Sequence, residues 1–231
     1  MELTGTDFLS SLLAIVLLDL VLAGDNAIVI ALAARNLPRR IQKKAVLWGT
    51  VGAVAVRLLL TGVVVYLLEL PGLMLVGGLL LLPIAWKLLQ SESQPSHEVD
   101  AAGDFWAAMR TIVVADALMG LDNVLAIAGA AKGHMLLVII GLAISVPLVV
   151  WGSSLILRMI ERFPIIVYIG AAAIAWTSAR MITHDHWLSP WFDANDWATY
   201  TLDALLVVGV CLGGWLMKRR RAKRQEAREH P

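Results

Sequence analysis

Asp19-Leu20-Val21-Leu22-Ala23-Gly24-Asp25-Asn26-Ala27-Ile28-Val29-Ile30-Ala31-Leu32-Ala33-Ala34-Arg35 returns, 97 positions on, as Asp116-Ala117-Leu118-Met119-Gly120-Leu121-Asp122-Asn123-Val124-Leu125-Ala126-Ile127-Ala128-Gly129-Ala130-Ala131-Lys132. The two stretches match Asp for Asp, then Asp-Asn for Asp-Asn, then Ala-Ala and a cation. Each lies inside a long apolar run. Carboxylates and amides are expensive to place in hydrocarbon, and here that cost is incurred twice at one spacing.

The surrounding chain identifies the solvent. Of its 231 residues, 59% are hydrophobic and 16% charged, with mean hydropathy +0.76. A soluble domain of this length is less apolar and more charged. The apolar residues fall in blocks of roughly 18–27, enough to cross a ~30 Å hydrocarbon core as helices. The ~10-residue alternating segments of a barrel are missing. The expected class is therefore all-α: a polytopic membrane protein. A single cysteine, Cys211, excludes an internal disulfide framework and reads as apolar filler. Met1 to Asp7 has Glu2 and Asp7 and no basic residue, so the first apolar run reads as a retained helix rather than a cleaved leader.

Seven segments follow. Residues 8–89 form a first three-helix repeat, with apolar runs at about 8–34, 45–68 and 73–89. Residues 90–104 are a polar, acidic linker. Residues 105–182 form a second three-helix repeat, with runs at about 105–131, 135–157 and 165–182. A seventh helix spans 197–217, and 218–231 is a basic cytoplasmic tail. Glu69-Leu70-Pro71 is echoed by Glu161-Arg162-Phe163-Pro164, and Ala85-Trp86 by Ala175-Trp176. Gly24 suggests local unwinding beside Asp25, Gly120 is its counterpart in the second copy, and Pro147 suggests a kink. Three crossings per repeat force the second repeat to enter from the opposite face, giving an inverted 3+3 helix repeat plus one C-terminal helix.

Charge tests that topology. One face collects Arg35, Arg39, Arg40, Lys43, Lys44, Lys87, Arg110, Arg158, Arg162 and the seven cations of the tail, whereas the other has Lys132 and Arg180 near it. Cytoplasmic loops carry the excess of Lys and Arg. The expected orientation is N-terminus out and C-terminus in. The tail reads as solvated stop-transfer charge. Most of the nine Trp fall near segment ends, as interfacial anchors.

Asp19 and Asp25, with Asp116 and Asp122, fall near the middle third of the bilayer at about 1.5 Å per residue. Six residues is ~240° of helix rotation, so the carboxylates of one copy share a face only where the helix breaks. Inversion brings both copies near a pseudo-two-fold axis at the midplane, where transporter sites lie. Asp, Asn and backbone oxygens are hard ligands suited to Mg2+, Ca2+ or Mn2+. Arg57 is read either as a charge partner for a motif Asp or as a fixed helix-helix ion pair. His184 and His186 form a candidate external capture cluster, though a solvated loop explains them better. Asp203 receives no role.

The doubled Asp-x5-Asp-Asn motif, followed by Ala27-Ile28-Val29-Ile30-Ala31 in one copy and Val124-Leu125-Ala126-Ile127-Ala128 in the other, resembles the TerC family, named for tellurium resistance. The short, seven-segment layout is most similar to its YjbE-type members. The resemblance covers about residues 8–217. It implies the lysine-exporter superfamily fold and manganese export across the bacterial inner membrane. It further implies Asp25, Asn26, Asp122 and Asn123 as metal ligands, with Asp19 and Asp116 as nearby ligands or proton carriers. The expected partners are a transported divalent cation and the lipid bilayer. No permanently bound cofactor and no nucleic acid is expected, and a homo-oligomer is compatible with the layout.

Three other readings compete. An intramembrane aspartyl protease needs one carboxylate from each of two helices sharing a proton, fewer groups than this motif supplies. An amino-acid exporter needs a cationic seat for an α-carboxylate, for which Arg57 is the candidate, inside an otherwise repelling acidic site. The last is a non-transporting membrane subunit.

Overall fold

The computed structural model describes the backbone of residues 5–68, 70, 72–90, 101–131 and 134–229. Side chains are described for these except 5–7, 20–23, 64–68, 101–103, 122, 125, 126, 128 and 220–229. The molecule is all-helical: α1 (Gly5–Ala34), α2 (Arg39–Leu68), α3 (Leu73–Gln90), α4 (Ala101–Ala130), α5 (Met135–Arg162), α6 (Ile165–Thr183), α7 (Ser189–Asp193) and α8 (Asp196–Glu229). No strand occurs among the described residues.

α2, α3, α5, α6 and α8 are long and apolar enough to span a membrane, and α1 is a sixth when its two arms are taken as one span. α4, at 30 residues, exceeds the ~20 needed and packs against α1 and α2. Leu9, Leu13, Leu59, Leu136, Ile165 and many other large apolar side chains point outward. A surface this apolar belongs against lipid.

Helix ends depart from the apolar runs because hydropathy marks only the part in hydrocarbon. α2 begins at Arg39, directly after Pro38, whose carbonyl accepts the Ile41 and Gln42 amides, both at 2.9 Å. α8 runs on through the basic tail to Glu229, a stretch of Lys, Arg, Gln, Glu and Ala that are all good helix formers. α7, inside the expected polar loop, is initiated by Pro190 in its first turn. α5 continues through Pro147 as one helix. The expected break at Gly24 takes the form of a 46° bend between Phe8–Asp19 and Gly24–Ala34 within a continuous helix, and α4 likewise stays helical through Gly120. The linker over 91–100 and the residues Glu69, Pro71 and Lys132 lie outside the described residues.

Packing follows an exchange rule. α1 lies along α5 as α4 lies along α2, α1 touches α6 as α4 touches α3, and α3 packs on α6. The close approaches obey the same rule. A Cβ on Gly49 of α2 would come within 2.8 Å of Ile112 of α4, and a Cβ on Gly141 of α5 within 2.4 Å of Ile15 of α1. Ile15 and Ile112 are 97 apart, each four residues before the doubled stretch, and Gly49 and Gly141 are 92 apart.

Two apolar clusters inside the α1–α2–α4–α5 bundle share five equivalent residues. One holds Ile30, Ala34, Ala45, Val46 and Ile112. The other holds Ile127, Ala131, Leu137, Val138 and Ile15. These five residues map onto one another, in order, by the 97-residue shift between α1 and α4 or a 92-residue shift between α2 and α5, whereas Leu37 and Ala108 of the first cluster and Leu142 of the second have the polar counterparts His134, Ser11 and Thr50.

Contacts at the helix ends sort the loops. Arg35 Nη2 donates to the Leu88 carbonyl at 2.9 Å, Arg39 approaches Glu161 at 3.6 Å, and Gln90 Nε2 lies 3.6 Å from Met217 Sδ. The C-terminal ends of α1, α3 and α5, the start of α2 and Met217 of α8 thus share one end of the bundle. At the other end Gly72 (φ +82°) turns tightly over Trp187, 3.0 Å from where its Cβ would stand. Asp185 there receives the Leu75 amide at 3.0 Å and the Trp187 amide at 3.1 Å.

Candidate ion site

Between the two apolar clusters lies a small polar centre. Arg57 of α2 reaches across it: Nη1 donates to Asp19 Oδ1 on α1, and Nη2 donates to Asp116 Oδ1 on α4 at 2.6 Å. All three side chains are buried, with Asp19 2%, Arg57 3% and Asp116 6% exposed. One cation therefore bridges the leading Asp of each copy of the repeated stretch.

The bridge leaves the centre incompletely satisfied. Asp116 Oδ2 and Arg57 Nε are buried without a hydrogen-bond partner, and so are both Oδ1 and Nδ2 of Asn26, which is 3% exposed. Buried polar groups are ordinarily paired, so orphans on three neighbouring residues mark a place built for something else. Asp19, Asn26, Arg57 and Asp116 line a cavity of about 10 Å3 with Thr50 and Ser145. That volume is close to one water-sized probe. The Thr50 hydroxyl donates to the Val46 carbonyl at 2.7 Å and Ser145 to the Gly141 carbonyl at 3.0 Å. Their oxygens keep lone pairs free to face a cation.

The other predicted residues are placed differently. Asp25 is half-buried, and its Oδ1 accepts the Asn26 amide at 2.9 Å. It does not line the cavity, as the ~240° rotation from Asp19 requires. Asn123 is half-buried and also off the cavity wall. The Asp122 side chain lies outside the described residues, so the expected convergence of Asp25 with Asp122 does too. Among the described residues, no group of three or more His, Cys, Asp or Glu forms a metal cage as it stands.

Sequence reasoning missed Asn26 as the cavity partner of Asp19, and Thr50 and Ser145 altogether. The signal for Asn26 was available: Asp19 and Asn26 are seven residues apart, close to two full turns, and so share a helix face. Thr50 and Ser145 carry no motif and are found only through packing.

The loop after α6 is structural. Asp185 is 1% exposed and holds the start of α3, while His184 Nδ1 lies 2.7 Å from the Arg180 carbonyl. Asp203 of α8 accepts from Trp176 Nε1 at 3.2 Å, and Arg180 stacks over the same indole.

The family model for the integral membrane protein TerC family matches residues 4–223. The uncharacterized membrane protein YjbE of Bacillus subtilis is 45% identical over 202 residues, covering 87% of this chain and 92% of that one. The uncharacterized membrane protein YkoY of the same organism is 22% identical, over 89% of this chain and 71% of its own length. The UPF0053 protein YegH of Escherichia coli is 27% identical over 68% of this chain, which spans 33% of that longer protein. No solved structure matches the chain.

Proposed function

The chain belongs to the TerC family of integral membrane proteins, and from that premise we propose that it is a secondary transporter exporting a hard divalent cation, with Mn2+ the foremost candidate, across the bacterial inner membrane. The observation that carries the proposal is the polar centre. Two carboxylates from equivalent positions of the doubled stretch and an orphaned amide meet around one small cavity, closed on either side by equivalent apolar clusters.

Ion coordination here draws on Asp19, Asp116 and the Asn26 Oδ1, with the Thr50 and Ser145 hydroxyls as neutral oxygens. Asp25, Asp122 and Asn123, the remaining polar residues of the doubled motif, join as the halves move. All are hard oxygen donors, which favour Mg2+, Ca2+ or Mn2+ over soft metals. The choice of Mn2+ rests on the resemblance to the family.

The exchange rule in the packing supports seven spans arranged as inverted three-helix halves. Opening one apolar cluster while the other stays shut gives alternating access. The basic residues gathered at one end of the bundle support a cytoplasmic C-terminus. Protons taken up by the carboxylates as the ion leaves are the proposed counter-flow.

A protease reading is disfavoured by Arg57. An aspartyl dyad shares a proton between its carboxylates, and here a guanidinium stands between them. The amino-acid reading is disfavoured because two buried carboxylates, Asp19 and Asp116, line the cavity beside Arg57 and repel a substrate's own carboxylate.

The test is metal uptake into inverted vesicles containing the protein, scanned over Mn2+, Ca2+, Mg2+ and Zn2+ with and without a proton gradient. Saturable uptake of Mn2+ above empty vesicles is expected. Uptake equal to empty vesicles for every divalent ion would contradict the proposal.

A further inference from the structure

Arg57 sits where the exchange symmetry fails. Its neighbours on α2 have equivalents on α5 that line the same cavity: Ala53 matches Ser145 and Val54 matches Val146, each 92 positions apart. At the same shift Arg57 matches Val149, which also lines the cavity. The scaffold therefore accepts an apolar side chain at this depth. A lone arginine in a membrane core is costly, so its presence calls for a purpose beyond packing.

The geometry of the bridge narrows that purpose. A pair built only for stability would satisfy both partners fully, since half-satisfied buried ion pairs are poor stabilisers. Arg57 instead takes one oxygen from each of two carboxylates on different helices, leaving Asp116 Oδ2 and its own Nε without partners. It spans the two halves as a multivalent ion would. With Arg57 in place, about 10 Å3 of free space remains, too little for a metal ion carrying any of its water. Beside the guanidinium, α4 presents Gly120: a Cβ built there would stand 3.5 Å from Nε, so the flank is bare helix against which the long side chain can slide.

We infer that Arg57 is the resident counter-cation of the ion site, and that the divalent ion and the guanidinium are alternative occupants of the Asp19–Asp116 pair. This rests on the transport reading of the same site. In the ion-free carrier Arg57 neutralises the two carboxylates, holds α1 and α4 together across α2, and keeps the site closed between the apolar clusters. An arriving divalent ion takes over the carboxylate oxygens and the guanidinium withdraws along α4. When the ion leaves, Arg57 returns and the empty carrier can close again. A tethered competitor lowers the affinity for the ion and raises the rate of its release.

The test is Mn2+ titration of the purified full-length protein by calorimetry, paired with Mn2+ flux in proteoliposomes. Wild type binds Mn2+, and Arg57→Gln binds it at least 10-fold more tightly while its flux falls at least 10-fold, because the ion is held and the empty site cannot close. Arg57→Lys keeps a positive charge in the core and serves where the Gln variant does not yield folded protein. A single ammonium cannot fork across both carboxylates as the guanidinium does, so this variant also binds Mn2+ more tightly than wild type, by about 3-fold, and keeps measurable flux. Mn2+ affinity that is unchanged or weaker in the variants, with wild type binding normally, overturns the inference and leaves the transport reading standing. Wild type that neither binds nor moves any divalent ion overturns the transport reading, and the inference falls with it.

Discussion

At the residue scale the centre is defined by what its groups lack. Asn26 is buried with neither amide atom paired, an arrangement that costs about 1–3 kcal/mol. Replacing it with leucine, similar in volume, removes that cost. Asn26→Leu is expected to raise the unfolding temperature in detergent, or leave it unchanged, while lowering Mn2+ affinity by about 10-fold or more, a loss of the size seen when supporting groups of a metal site are removed. Thermal melts and calorimetric titration on one preparation read both. A lowered unfolding temperature with unchanged affinity would make Asn26 a structural residue. The doubled motif marked this neighbourhood in the sequence, yet its emphasis fell one face away. Asp25-Asn26 reads as a unit along the chain, whereas the helix turns Asp25 aside and puts Asn26 with Asp19. Pairing Asp19 with Asp116 through Arg57 depends on three helices meeting, which no local pattern encodes.

Between elements, bare backbone surfaces let the helices approach closely, and a few buried polar contacts tie them. α3 and α6 touch at Gly78, where a Cβ would come within 2.7 Å of the Ser178 carbonyl oxygen, and the Ser178 hydroxyl donates to the Gly78 carbonyl at 2.6 Å. At Gly77 the near atom is Met181 Cε, also at 2.7 Å, the mobile end of a flexible side chain. Gly78→Ala is therefore expected to destabilise the protein by about 1–3 kcal/mol, the range for forced overpacking, and Gly77→Ala by clearly less. Unfolding midpoints in mild detergent rank the two, and equal midpoints would mean that α3 and α6 are not in backbone contact. Most of the elements were legible in the sequence, because hydrophobic blocks of bilayer length have one solution. Their ends were not, because α2 and α8 extend beyond hydrocarbon on polar helix formers that hydropathy does not register. The bend in α1 was foreshadowed by Gly24.

Across the whole molecule, one exchange rule relates the packing of α1 to that of α4, of α2 to α5 and of α3 to α6, and Arg57 breaks it inside the cavity. Equivalent residues in two apolar clusters, equivalent glycine contacts and two equivalent carboxylates surround one polar centre, and one unmatched arginine makes the centre asymmetric. The pairing of loops at each end was legible from charge: the contacts Arg35–Leu88 and Arg39–Glu161 join segments that carry the excess of basic residues. The substrate was not legible to the same degree. Hard oxygen ligands define a class of ion, and discrimination within it depends on cavity size and ligand flexibility.

Whether Asp19 and Asp116 form one ion site shared by the two halves is read from Mn2+ flux in proteoliposomes containing wild type, Asp19→Asn or Asp116→Asn at equal reconstituted amounts. Saturable flux is expected for wild type, and a loss of at least about 100-fold for each variant alone, beyond the roughly 10- to 100-fold lost when mere supporting groups of a metal site are removed, because each variant removes one of the two carboxylates that would hold the ion. Flux within 2-fold of wild type in either variant would contradict a shared site.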